Sequence, residues 1–143
     1  MVPRSGDGLL PSVVACGVVA AQGVRFVVVG SCALFLAGDM AVLPVKDADI
    51  VPDPSPQNLD CLWEALTDMA VTAWRVPPRG RLGTLDVVPV ATVYGKVDCL
   101  LERGRADFDD LLSRASLAPV ADAEVAVASE ADCRRLRSLY KGR

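Results

Sequence analysis

Residues 25–51 read RFVVVGSCALFLAGDMAVLPVKDADIV. The run Arg25–Val29 is short and β-branched, which predicts a buried strand. It stops at Gly30. Ser31 follows and opens a short apolar segment, 31–37, that suits a helix closed by Gly38. Residues 39–46 form a loop around Pro44. Asp47–Val51 (DADIV) is a second strand. Strand, glycine turn, short helix and carboxylate-bearing strand in this order decide the reading of the whole chain.

Upstream, residues 9–22 (LLPSVVACGVVAAQ) suit a helix, with Pro11 tolerable only in its first turn. Gly23 is placed as the residue that ends it. The apolar stretch 9–38 does not make a membrane span, which needs about 20 uninterrupted apolar residues. Gln22, Gly23 and Arg25 break it. Residues 1–8 (MVPRSGDG) read as a flexible tail, and 9–143 as one domain.

Downstream, PDPSPQN (52–58) is a turn, with Ser55 as helix cap and Pro56 in the first helical position. Leu59, Leu62, Trp63, Leu66 and Met69 then repeat at helical spacing over 57–69. VTAWRV (71–76) predicts a third strand, and Trp74 reads as a core residue, with a base-stacking surface as the alternative. PPRGRLG (77–83) predicts a mobile basic loop. Residues 84–101 predict two strands that part at Pro89. A helix over 105–116, a strand over 124–128 and an Arg-rich helix over 130–140, begun by Ser129, complete the chain. The fold class is α/β (α+β): a mixed sheet flanked by helices.

Composition narrows the chemistry. The chain has no His, which removes Ser/His/Asp triads and imidazole acid–base catalysis together. Carboxylates, hydroxyls, thiols and cations remain. A net charge of -3 means that bulk electrostatics do not hold the chain to nucleic acid. The five cysteines, Cys16, Cys32, Cys61, Cys99 and Cys133, are widely spaced without a CxxC pair. They read as free thiols in a reducing cytoplasm.

Asp47 and Asp49 lie two apart on a short apolar strand, so they share a face. Two anions on one face repel, and a divalent cation resolves the conflict. Gly30-Ser31 at a strand–helix junction lets backbone approach a phosphate. Of the later carboxylates, Asp98 in TVYGKVDCLLERG and Asp86 in TLDVV compete to complete the set.

These segments, VVVGSCALFLAG, KDADIVPD, PQNLDCLWEAL, GKVDCLLERG and RADFDDLLSRA, resemble the small bacterial nucleotidyltransferases of the DNA polymerase β superfamily. The AbiEii-like toxins are the nearest type. The resemblance covers roughly residues 9–143. It implies a Mg²⁺-dependent enzyme, with Mn²⁺ as a substitute, that moves a nucleoside monophosphate from an NTP to an acceptor hydroxyl. Asp47, Asp49 and Asp98 would be catalytic and hold two metal ions. Gly30, Ser31, Lys46 and Arg137 would bind the nucleotide. The acceptor would be a tRNA, a protein or a small molecule. A toxin or phage-defence role with an antitoxin partner would follow, in the cytoplasm and away from membranes.

The chain also departs from the pattern. Leu43 and Val45 stand where such proteins commonly carry Arg and Thr or Ser, which leaves Lys46 as the nearby cation. Arg137 stands in place of a terminal Lys, keeping the charge but not the shape. These departures support an alternative: a catalytically impaired module of this fold that binds a nucleotide or a protein partner.

Overall fold

The computed structural model describes residues 4–5, 8–39, 45 and 47–141. Strands β1 (Arg4–Ser5) and β2 (Gly8–Leu9) pair with each other in antiparallel fashion. Then follow α1 (Pro11–Ala21), β3 (Phe26–Val29), α2 (Gly30–Leu36), β4 (Asp47–Pro52) and α3 (Pro56–Met69). Two 3-10 turns, Ala73–Arg75 and Arg79–Thr84, lead to β5 (Val87–Thr92) and β6 (Gly95–Leu100). The chain continues through α4 (Leu101–Ser113), β7 (Ser116–Val120), β8 (Ala123–Val127) and α5 (Glu130–Lys141).

Strands β3 to β8 form one mixed sheet in the order β5-β6-β4-β3-β8-β7. The three hairpin-like pairs, β3–β4, β5–β6 and β7–β8, are antiparallel. The crossover pairs β4–β6 and β3–β8 are parallel. Helices α1 to α5 all pack on this sheet or on each other. The α/β fold expected from the sequence is the fold adopted.

The central strands explain the layout. All four residues of β3 are buried, as a strand covered on both faces requires. Helix α1 buries Val13, Ala15, Cys16 and Val19 together with the polar Ser12. Ser12 is satisfied by donating its hydroxyl to the Val45 carbonyl at 3.0 Å. Among the described residues, no helix is long and apolar enough to cross a membrane.

Helix α3 begins as the sequence predicts. Pro56 takes the first turn, and the Asn58 N–H donates to the Ser55 hydroxyl at 3.4 Å. The buried Asn58 side chain ties the two neighbouring strand ends together. It donates to the carbonyls of Arg25 and Asp53, both at 2.9 Å, and accepts from the Arg25 N–H at 2.7 Å.

Several local expectations are corrected. VTAWRV does not form a strand: after the bridge Ala70↔Thr92, the chain turns at Ala73–Arg75 and leaves Trp74 79% exposed. β5 is the edge strand there; the Val71 N–H donates to the Ala91 carbonyl and the Val93 N–H to the Met69 carbonyl, both at 2.9 Å, before the chain turns away. Residues Arg79–Thr84 form a 3-10 turn rather than an irregular loop. Pro89 lies inside β5, and the hairpin turns instead after Thr92. Helix α4 starts at Leu101, and SLAPV (116–120) is an additional strand.

Candidate active site

Strands β4 and β6 run parallel with Asp47 opposite Lys96 and Asp49 opposite Asp98. On its other side β4 pairs with β3, placing Asp49 opposite Val29, the residue before Gly30. The topology thus brings Gly30, Asp47, Asp49 and Asp98 together from three strands. Asp86, the competing carboxylate, lies just before β5, whose first residue pairs with Leu100. There it meets Arg105 at 3.2 Å, with its side chain 72% exposed. Asp98 is therefore the carboxylate that stands beside Asp49.

The carboxylates are unevenly solvated. The Asp47 side chain is 46% exposed and that of Asp98 only 18%. Asp49 is affected both by burial and by its neighbours. Its pKa is raised from 3.8 to about 7, first by burial, then by the charge of Asp98, a hydrogen bond with Asp98 and the charge of Asp47. Lys96 acts against these.

Lys96 is the site residue that sequence reading missed. Its Nζ lies 3.8 Å from Asp47 Oδ2 and 3.6 Å from Asp98 Oδ1. The signal was present: Lys96-Val97-Asp98 repeats the spacing of Asp47-Ala48-Asp49, so period 2 puts both pairs on a common side of the paired strands.

Gly30 has φ +71°, and a β-carbon there would lie 2.5 Å from Asp49 Oδ2. Glycine is required by both conformation and space. Ser31 is exposed in the first turn of α2. Nearby, the buried thiols of Cys16 and Cys32 lie 3.9 Å apart. The Cys16 pKa is raised by its hydrogen bond with Cys32, by burial, and by the charges of Cys32 and Asp49.

Arg137 is exposed on α5, the helix that packs on α2. Lys46 and Leu43 lie outside the described residues. Val45 is only 7% exposed. Its side chain serves the core and its carbonyl holds Ser12, so this departure from the expected hydroxyl residue has a packing role.

Among the described residues, no three acidic or Cys side chains already converge on a common metal position. The donor chemistry still fits a hard divalent cation. Mg²⁺ is usually held by one or two carboxylates and completes its shell with water and substrate phosphates. Burial first, and then the neighbouring Asp98 and Asp47, raise the Asp49 pKa, and a bound cation would offset the carboxylate repulsion.

A comparison with solved structures finds a similar fold in a protein of Thermotoga maritima proposed to be a nucleotidyltransferase. The two share 18% identity, with a TM-score of 0.57 over 87% of this chain and 81% of the other. The chain has a nucleotidyltransferase-like fold. The likeness extends across most of both chains. No family model matches the sequence, and no curated protein matches it.

Proposed function

We propose that the protein is a metal-dependent nucleotidyltransferase that moves a nucleoside monophosphate from an NTP to an acceptor hydroxyl. The observation that carries this reading is the in-register pairing of Asp49 with Asp98, beside Asp47 and Gly30, in a nucleotidyltransferase-like fold. In the reaction, the acceptor oxygen bonds to the α-phosphorus and the bond to the β-phosphate oxygen breaks, releasing pyrophosphate.

Asp47, Asp49 and Asp98 would hold Mg²⁺ or Mn²⁺, which supplies charge neutralisation to the triphosphate and lowers the pKa of the attacking hydroxyl. Gly30 contributes by having no side chain, so that backbone and phosphate can approach beside Asp49. Ser31 supplies a hydroxyl donor at the start of α2. Asp98, the less exposed of the two carboxylates that flank Lys96, is suited to orient the acceptor or to take its proton. The remaining work is positioning, the usual logic of phosphoryl transfer, and needs no histidine.

Calorimetric titration of each NTP, with and without Mg²⁺, tests this reading on the wild type and on Asp47→Asn/Asp49→Asn. Magnesium-dependent binding that disappears in the double variant is expected, and it selects the nucleotide for an acceptor screen. The packing role of Val45 supports a second reading, a nucleotide- or partner-binding module without transfer. Binding of an NTP by the wild type without transfer to any RNA, protein or aminoglycoside acceptor would favour it. Absence of any NTP binding would refute the enzyme.

A further inference from the structure

We propose that Lys96 is the resident counter-ion of the carboxylate cluster, and that it passes to the nucleotide's phosphates when a divalent cation takes its place. The inference rests on the reading of the preceding subsection. It concerns a residue to which neither the sequence pattern nor the comparisons give a role.

Three observations carry it. First, the Lys96 ammonium lies between two of the three carboxylates, 3.8 Å from Asp47 and 3.6 Å from Asp98. That places a positive charge where a divalent cation would gain most. Second, both separations exceed ordinary hydrogen-bond length, and the side chain is 48% exposed. The ammonium is held by charge and not by fixed geometry, so little is lost when it leaves. Third, Lys96 sits opposite Asp47 at the start of β6, next to the β5–β6 turn. A flexible four-carbon stem from that point can keep its charge close to the cluster while turning outward.

A lysine that only balances surface charge would stabilise the protein slightly and affect nothing else. A counter-ion that is exchanged has two effects of opposite sign. It competes with the metal when no nucleotide is present. It adds a phosphate contact once the nucleotide is bound, a role to which lysine is suited as a point charge. Before any ligand arrives, the resident ammonium offsets part of the repulsion among the carboxylates.

The test is binding of Mn²⁺ alone, followed by calorimetry or by the electron paramagnetic resonance of the free ion, in the wild type and in Lys96→Met. Removing one unit charge about 4 Å from the carboxylates should tighten Mn²⁺ binding by roughly five- to tenfold in this half-exposed setting. In the presence of Mn²⁺, the same variant should bind a non-hydrolysable NTP at least several-fold more weakly. Lys96→Arg should restore most of the nucleotide affinity. Equal or weaker Mn²⁺ binding in Lys96→Met, or unchanged nucleotide binding, overturns the proposal. If both are unchanged while Asp49→Asn abolishes Mn²⁺ binding, the metal site stands and the role of Lys96 alone falls. If neither wild type nor Lys96→Met binds Mn²⁺, the proposal falls together with the metal site.

Discussion

A β-carbon on Gly30 would lie 2.5 Å from Oδ2 of Asp49. The turn that ends β3 and the carboxylate at the centre of β4 are fitted to each other at van der Waals contact. Gly30 also has φ +71°, a conformation that L side chains rarely adopt. Gly30→Ala therefore combines backbone strain with a clash. It should lower stability by about 1–3 kcal/mol and displace Asp49. Denaturant unfolding measures the first effect and NTP titration the second. A variant of wild-type stability that binds nucleotide normally would refute this close fit.

Asp49 makes stability depend on pH in an unusual direction. Its folded pKa is raised from 3.8 to about 7, chiefly by burial and then by Asp98. Between those two values the folded state holds a proton that the unfolded chain has lost. Stability therefore falls as pH rises from about 4 to 7, and the cost is complete above 7. The limit is on the order of 2–4 kcal/mol. Asp49→Asn keeps the shape and removes the charge. It should match the wild type near pH 4.5 and exceed it in stability at pH 8, while losing metal-dependent nucleotide binding. Equal stability at pH 8 would show that Asp49 is not crowded as described.

Much of this site was legible because its parts are local. RFVVV, Gly30-Ser31 and Asp47-Ala48-Asp49 announce two strands and a tight turn through propensity, glycine and period 2. The partnership of Asp49 with Asp98 is different, because it depends on strand order. No local pattern states that β6 lies beside β4 rather than at the sheet edge. The resemblance in GKVDCLLERG selected Asp98, and strand register places it. Lys96 was overlooked for a related reason: its meaning comes from the residue across the ladder, Asp47, not from its neighbours in sequence.

The misread elements also have physical causes. The fourth helix was expected over 105–116 but begins at Leu101 and includes Gly104. In the structure a β-carbon there would lie 2.2 Å from the Pro52 carbonyl oxygen. The glycine lets α4 lie against the central strand. SLAPV, for which no strand was expected, carries Pro119 within β7. β7, however, is an edge strand, where proline is tolerated.

The two tryptophans should behave in opposite ways. Trp63 packs against the core, donates Nε1–H to the Pro77 carbonyl at 2.8 Å and carries the Arg79 guanidinium 5.2 Å from a ring centroid. Trp74 is 79% exposed and meets Arg75 at 5.1 Å. Trp63→Ala should cost about 3 kcal/mol. Trp74→Ala should change stability by no more than about 0.5 kcal/mol. Thermal unfolding of each variant, with iodide quenching of the remaining tryptophan, separates them. Strong protection of Trp74 from iodide would contradict its surface position.

The terminal helix is held by a charge cluster that acid should open. Arg114, at the end of α4, donates Nε–H to Asp132 Oδ2 at 2.8 Å and Nη2–H to Asp132 Oδ1 at 3.0 Å. The Asp132 side chain is 6% exposed and sits in the first turn of α5, where the Asp132 N–H donates to the Ser129 hydroxyl at 3.1 Å. Its pKa is lowered, first by the hydrogen bonds from Arg114. A lowered carboxylate pKa contributes stability that is present above the unfolded value and is lost as pH falls through the folded one. Arg114→Ala leaves the buried carboxylate with the Ser129 hydroxyl and the more distant Arg135, at 3.5 Å. At pH 7 it should cost about 1–3 kcal/mol, and the loss should shrink as the solution is acidified below the ordinary carboxylate range. Because α5 packs on α2, hydrogen exchange in Arg114→Ala should rise in α5 and extend to the segment that begins with Gly30. Exchange confined to the end of α4 would mean that the cluster does not anchor the helix.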